Sequence, residues 1–116
     1  MGYRLAPKER RKKRLTAELE RLVHVLKTQD VEQVILFGSL MSGNVNSASD
    51  IDLLVVKQTD KRFLDRLDEM YSLLQHTVAL DLLVYTPEEV EVLTYTNRFI
   101  GNIFEHGRVL YEKESS

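Results

Sequence analysis

Ser49-Asp50-Ile51-Asp52-Leu53-Leu54-Val55-Val56 is apolar enough in its second half for a central strand, yet it opens on two carboxylates. Alternate side chains of a strand share a face, so Asp50 and Asp52 are expected to point the same way. Ionised carboxylates beside such a run are costly to desolvate unless they are paired or metal-bound. A later run, Val78-Ala79-Leu80-Asp81-Leu82-Leu83-Val84, carries the same anomaly, with Asp81 the one acid among apolar residues. If the two strands are neighbours, three carboxylates converge, and like charges raise one another's pKa unless a cation neutralises them. Oxygen ligands with no cysteine and no nearby histidine favour Mg²⁺ or Mn²⁺. Taken singly, each aspartate has a plainer reading as a strand-end cap or turn residue. That reading suits Asp50, after Ser49, better than Asp81 within its run.

Upstream, Val31 to Phe37 is a short β-rich run that stops at Gly38, and residues 42–49 are a polar loop. Glycine at Gly38 permits turn geometries and close backbone approach, and backbone N–H groups with the Ser39 hydroxyl can hold phosphate. By itself Gly38-Ser39 is an ordinary strand-to-helix turn. Leu15, Leu19, Leu22, Val23 and Leu26 recur at helical steps and predict an amphipathic helix over residues 8–28. A second helix is predicted over 61–75, with Phe63, Leu64, Leu67, Met70, Tyr71 and Leu74 on one face. A third strand is predicted over 78–85. Thr86-Pro87-Glu88-Glu89 has the form of a helix start. A further helix over 97–105 ends near Gly107, and Val109 to Tyr111 is a short last strand. The chain is therefore expected to be α/β or α+β, a small sheet covered by helices.

Length and composition set the bounds. With 116 residues, 43% of them apolar and 29% charged, the chain is expected to form one domain with a packed core. The absence of cysteine excludes a disulfide scaffold, a thiol nucleophile and a cysteine-ligated metal. Apolar runs fall far short of the roughly 18 residues that suggest a membrane span. No apolar signal region follows the basic N-terminus, so a cytoplasmic location with no membrane partner is expected. The net charge of −2 hides an asymmetry: residues 1–30 carry nine Lys/Arg against four Asp/Glu, and the rest carry seven against fourteen. The positive charge concentrates at Lys8 and Arg10 to Arg14. Such a run can track phosphates or meet an acidic partner, but the plainer reading is the solvated flank of a helix. No aromatics are interleaved there, so single-stranded nucleic acid is not specifically indicated. His24, His76 and His106 have no metal-site spacing; the first two are expected on helices and the third near a helix end.

Gly38-Ser39, ten residues, Asp50-x-Asp52, then Asp81 on a later apolar strand, together resemble the minimal nucleotidyltransferases, the smallest members of the DNA polymerase beta-like nucleotidyltransferase superfamily. Ser49 to Val55 and the pattern from Phe99-Ile100 through Gly107 to Leu110-Tyr111 strengthen the likeness. It covers residues 15–111, leaving 1–14 as a basic segment opening the first helix and 112–116 as a short tail. The resemblance implies a mixed sheet, a Gly38-Ser39 turn that holds nucleotide phosphates, and two metal ions, Mg²⁺ or Mn²⁺, held by Asp50, Asp52 and Asp81. It implies ATP as donor. It also implies a partner, because minimal nucleotidyltransferases commonly pair with a helical HEPN-domain protein, often a toxin ribonuclease. Active members neutralise that toxin by transferring AMP to a tyrosine.

One departure bears on the reaction. Members of the group often carry Arg or Lys just after Gly-Ser, whereas Leu40 to Ser49 here holds no basic residue. Lys57, Lys61, Arg62 or a partner's residue are the expected substitutes. The same departure supports the alternative, a catalytically weak or inactive binding module that neutralises its partner sterically.

Overall fold

The computed structural model of the chain describes residues 6–38 and 49–114. Their order is α1 (Pro7–Lys27), β1 (Gln33–Phe37), β2 (Ile51–Val56), α2 (Phe63–Leu74), β3 (Leu80–Tyr85), α3 (Pro87–Thr96), α4 (Arg98–His106) and β4 (Arg108–Glu112). The strands form one mixed sheet ordered β3-β2-β1-β4. Here β1 is antiparallel to both β2 and β4, while β2 and β3 run parallel. The α/β expectation holds, and each predicted element is present within about two residues of its expected bounds.

Strand alternation divides the sheet into two faces. Val34, Leu36, Ile51, Leu53, Val55, Leu80, Leu82 and Val84 pack with Leu15, Leu22, Val23 and Leu26 of α1 and Met70 and Leu74 of α2. Ile35, Leu54 and Val56 face the other way and pack with Ile100 and Ile103 of α4, with Val90 and Leu93 of α3 alongside. All six residues of β2 are buried, because this central strand is covered on both faces.

Local chemistry sets the helix ends. Pro7 opens α1, where its missing N–H costs nothing. Thr86 and Glu89 form the expected capping box on α3, and Asn97 caps α4 through Ile100 N–H at 3.1 Å. His76 is a correction: α2 stops at Leu74, Gln75 turns left-handed at φ 44°, and His76 lies beyond, its Nδ1 2.6 Å from the Val78 carbonyl oxygen. No helix among the described residues is long and apolar enough to cross a membrane.

Candidate active site

The ends of β1, β2 and β3 meet at one edge of the sheet, and the singled-out residues gather there. Asp52 and Asp81 are register partners across the parallel pair β2–β3, so their Cα atoms stand about 5 Å apart. Alternation places both on the face of Leu54 and Leu83, beyond the part that α3 and α4 cover. Asp52 is 6% exposed, whereas Asp81 is exposed to solvent. Asp81 is the second residue of its strand and stands at the strand mouth rather than in mid-run, because pairing starts two residues later than the apolar pattern suggests.

Gly38 ends β1 at φ +79°, a left-handed conformation that glycine adopts without penalty. Its neighbour on β1, Phe37, pairs with Asp52. A Cβ on Gly38 would stand 2.1 Å from Asp52 Oδ2. The glycine is therefore required for the turn and also makes room for the carboxylate. Ser49 Oγ donates to Asp52 Oδ1 at 2.5 Å and fixes its orientation. Ser39, the expected phosphate-binding hydroxyl, lies outside the described residues, as does the loop to residue 48.

Asp50 departs from expectation. It precedes β2, and its N–H and that of Ile51 both donate to the Ala79 carbonyl, at 2.9 and 3.1 Å. Two successive donors on one acceptor break the ladder, so alternation does not extend back to Asp50. Its Oδ1 pairs with the Arg11 guanidinium of α1, and its Oδ2 accepts from Ala79 N–H at 3.1 Å. Among the described residues no three acidic or histidine side chains are gathered closely enough to hold a metal ion. The donor set nevertheless suits a hard divalent cation. It is all oxygen, two carboxylates are paired in register, and one of them occupies the space that a Cβ would fill at Gly38.

The expected cations stand elsewhere. Lys57 follows the far end of β2, about 16 Å from Asp52 at a strand's rise per residue, and Lys61 and Arg62 come after it, before α2. Lys57 Nζ donates to Gln29 O at 2.5 Å, and Lys61 pairs with Glu69. The basic run of α1, with the plainer reading of a solvated flank, instead delivers Arg11 to Asp50 and sets Arg14 3.3 Å from Thr77 O.

Three supporting residues carry no signal in the sequence. Tyr71 counts as apolar by helical spacing, yet its hydroxyl donates to Leu80 O at 3.1 Å and accepts from Leu82 N–H at 2.9 Å. These groups flank Asp81 on the outer edge of β3, so Tyr71 both closes that edge and positions the aspartate. Burial pushes the Tyr71 phenol up, and the charges of Asp81 and Asp52 act in the same direction. Glu18, buried on α1, accepts from Arg21 at 2.7 and 2.9 Å and from Thr77 N–H at 2.7 Å. Arg21 also donates to Leu74 O at 3.0 Å. The pair clamps the turn that launches β3. The Arg21 hydrogen bond, against the cost of burial, takes the Glu18 carboxyl down to about 2.

A mixed four-stranded sheet with acidic residues at one mouth and a left-handed glycine beside them agrees with a nucleotidyltransferase-type fold. The family model "Polymerase beta, Nucleotidyltransferase" matches residues 20–116, and the chain belongs to that family. It is 32% identical over 96 residues to a Methanocaldococcus jannaschii protein named "Putative protein adenylyltransferase", a match spanning 80% of this chain and 94% of that one. A crystal structure titled as a putative nucleotidyltransferase from Sulfolobus solfataricus superposes with TM-score 0.64 at 20% identity, over 97% of this chain and 94% of that one, and shows the shared fold.

Proposed function

We propose that the chain is a metal-dependent nucleotidyltransferase that moves AMP from ATP to a tyrosine hydroxyl of a HEPN-domain toxin and so acts as its antitoxin. The observation that carries this reading is the register pairing of Asp52 with Asp81 beside Gly38, whose missing side chain leaves room for the Asp52 carboxylate. The adenylyltransferase name of the 32%-identical relative supports AMP as the group transferred.

Asp52 and Asp81, with Asp50 once it leaves Arg11, would hold Mg²⁺ or Mn²⁺. Such ions supply charge stabilisation at the attacking and leaving oxygens. The acceptor oxygen forms a bond to the α-phosphorus, the bond from that phosphorus to the bridging oxygen breaks, and pyrophosphate leaves. Asp81, exposed at the strand mouth, is placed to take the hydroxyl proton. Ser49 holds the Asp52 carboxylate, and Tyr71 holds the backbone around Asp81. Most of the acceleration then comes from positioning and electrostatic stabilisation.

A pull-down from native lysate, followed by intact mass of the captured protein with ATP and Mg²⁺, tests the reading. The expected result is a small helical partner that gains one adenylyl group with wild type and none with Asp81→Asn. A specific observation favours the steric alternative: Asp50 is occupied by Arg11. Under that alternative Asp81→Asn protects cells from the toxin as well as wild type does, with the partner unmodified. That result would overturn the enzymatic reading.

A further inference from the structure

We infer that Arg11 of the basic helix α1 is the residue that meets the phosphates of the incoming nucleotide. The inference rests on the nucleotidyl-transfer reading above. A nucleoside triphosphate brings about four negative charges to a site already built of carboxylates, so cations must stand close by. The segment from Ser39 to Ser49, where such a cation would be nearest in sequence, has no Lys or Arg. Lys57 and Lys61 are engaged at the other end of the sheet, with Gln29 and Glu69.

Arg11 contacts the acidic end directly, through Asp50 Oδ1. Its side chain is 53% exposed, against 23% for Asp50, so the guanidinium can swing without disturbing the core. The helix burial of α1 begins only at Leu15, and every residue from Lys8 to Arg14 is exposed. The planar fork that fits one carboxylate also fits two phosphate oxygens. Arg11 thus holds Asp50 in the free protein and passes to the nucleotide when Asp50 takes up its own ligand. This exchange gives the basic run of α1 a role at the site, and it accounts for a segment from Ser39 to Ser49 that carries no basic residue.

Titration calorimetry on the full chain tests it, with Mg·ATP, Mg·tripolyphosphate and adenosine as probes. Arg11→Ala is expected to weaken Mg·ATP and Mg·tripolyphosphate alike, by about tenfold, and to leave adenosine unchanged. Arg11→Lys should recover part of the loss. Lys12→Ala removes the same charge one residue on, about 100° round the helix, and should stay within twofold of wild type. The melting temperature of each variant shows that the fold is kept, and if Arg11→Ala lowers it, Arg11→Lys decides by the same contrast of tripolyphosphate with adenosine. Wild-type or tighter Mg·ATP binding by Arg11→Ala, while Asp52→Asn binds worse, overturns the inference and leaves Arg11 a mere partner of Asp50. If Asp52→Asn also binds as wild type does, the nucleotide reading of the whole site fails and this inference falls with it.

Discussion

The two ends of the sheet handle charge in opposite ways. At the far end, buried Arg66 donates to Glu89 at 2.6 Å, to Lys61 O at 2.8 Å and to Val84 O at 3.2 Å. Glu89 in turn receives Thr86 N–H at 2.8 Å, and the Arg66 hydrogen bond holds its carboxyl below the ordinary range. Opposite charges there satisfy one another and tie α2, β3 and α3 together. At the near end, like charges collect: Asp52 and Asp81 stand side by side, Asp52 meets a glycine and a serine, and a guanidinium from α1 pairs with Asp50 close by in sequence. A cluster of like charges does not stabilise a fold. The far end ties neighbouring elements together through paired charges, and the near end sets two carboxylates beside each other in register, the arrangement on which the proposed function rests.

The sharpest break of this contrast is Gly38→Val. The left-handed φ and the 2.1 Å approach to Asp52 Oδ2 leave a branched side chain no place. Transfer should fall at least a hundredfold, because the Asp52 carboxylate must move, while urea unfolding stays a single cooperative transition. Full activity would make the turn a simple connector and remove Gly38 from the site.

Arg66→Ala should do the reverse. It leaves two backbone carbonyls and Glu89 without their shared donor and should cost about 2–3 kcal/mol of stability. Glu89 is 41% exposed, which keeps the figure below that of a fully buried pair. Below the melting transition, nucleotide affinity should remain within about twofold of wild type. A large loss of affinity in a folded Arg66→Ala protein would show that the two ends are coupled.

Much of this contrast is legible in the sequence, and the illegible part has a physical pattern. Asp52, Asp81 and Gly38 announce themselves because each is the wrong residue type for an apolar strand or its end. The capping box at Thr86 and Glu89 is equally plain, since it is local. Tyr71, Glu18 and Arg11 are ordinary residues at ordinary helical positions. What makes them matter is a partner 9, 59 or 39 positions away. Spacing along one element carries no information about such pairs. The distance of Lys57 from the acidic end has the same origin: Lys57, Lys61 and Arg62 are close to Asp52 in number, but β2 carries the chain to its opposite end before they are reached. The shared face expected of Asp50 and Asp52 is lost for a different reason, since the double donation to Ala79 O ends the alternation at Ile51.

Acid sharpens the comparison from a third point. Glu18 has its carboxyl lowered to about 2 by Arg21, so in the folded state it stays ionised where an unfolded chain's glutamate, near 4.5, would take a proton. A lowered folded pKa gives stability that is present above about 4.5 and lost as pH falls toward 2. The loss should be about 1–2 kcal/mol, since Arg21 is partly exposed and solvent screens the pair. Glu18→Gln should flatten this part of the stability profile between pH 5 and 2.5. An unchanged slope in the variant would show that Glu18 does not clamp the turn before β3.

The smallest effect expected is also the one that fixes which end binds nucleotide. Lys61→Ala removes a cation near Asp52 in sequence but at the far end of β2 in space. Its ion pair with Glu69 is exposed, with side chains 54% and 40% accessible, and exposed pairs contribute about 0–1 kcal/mol. The melting temperature should hardly move. Mg·ATP affinity, measured by calorimetry at low salt where long-range charge effects are largest, should stay within twofold of wild type. Lys61 lies beyond the far end of β2 and is paired with Glu69, so its charge adds little to the potential at the acidic end. A tenfold loss of affinity in Lys61→Ala would place the phosphates among Lys57, Lys61 and Arg62, and the carboxylates at the near end would then need another explanation.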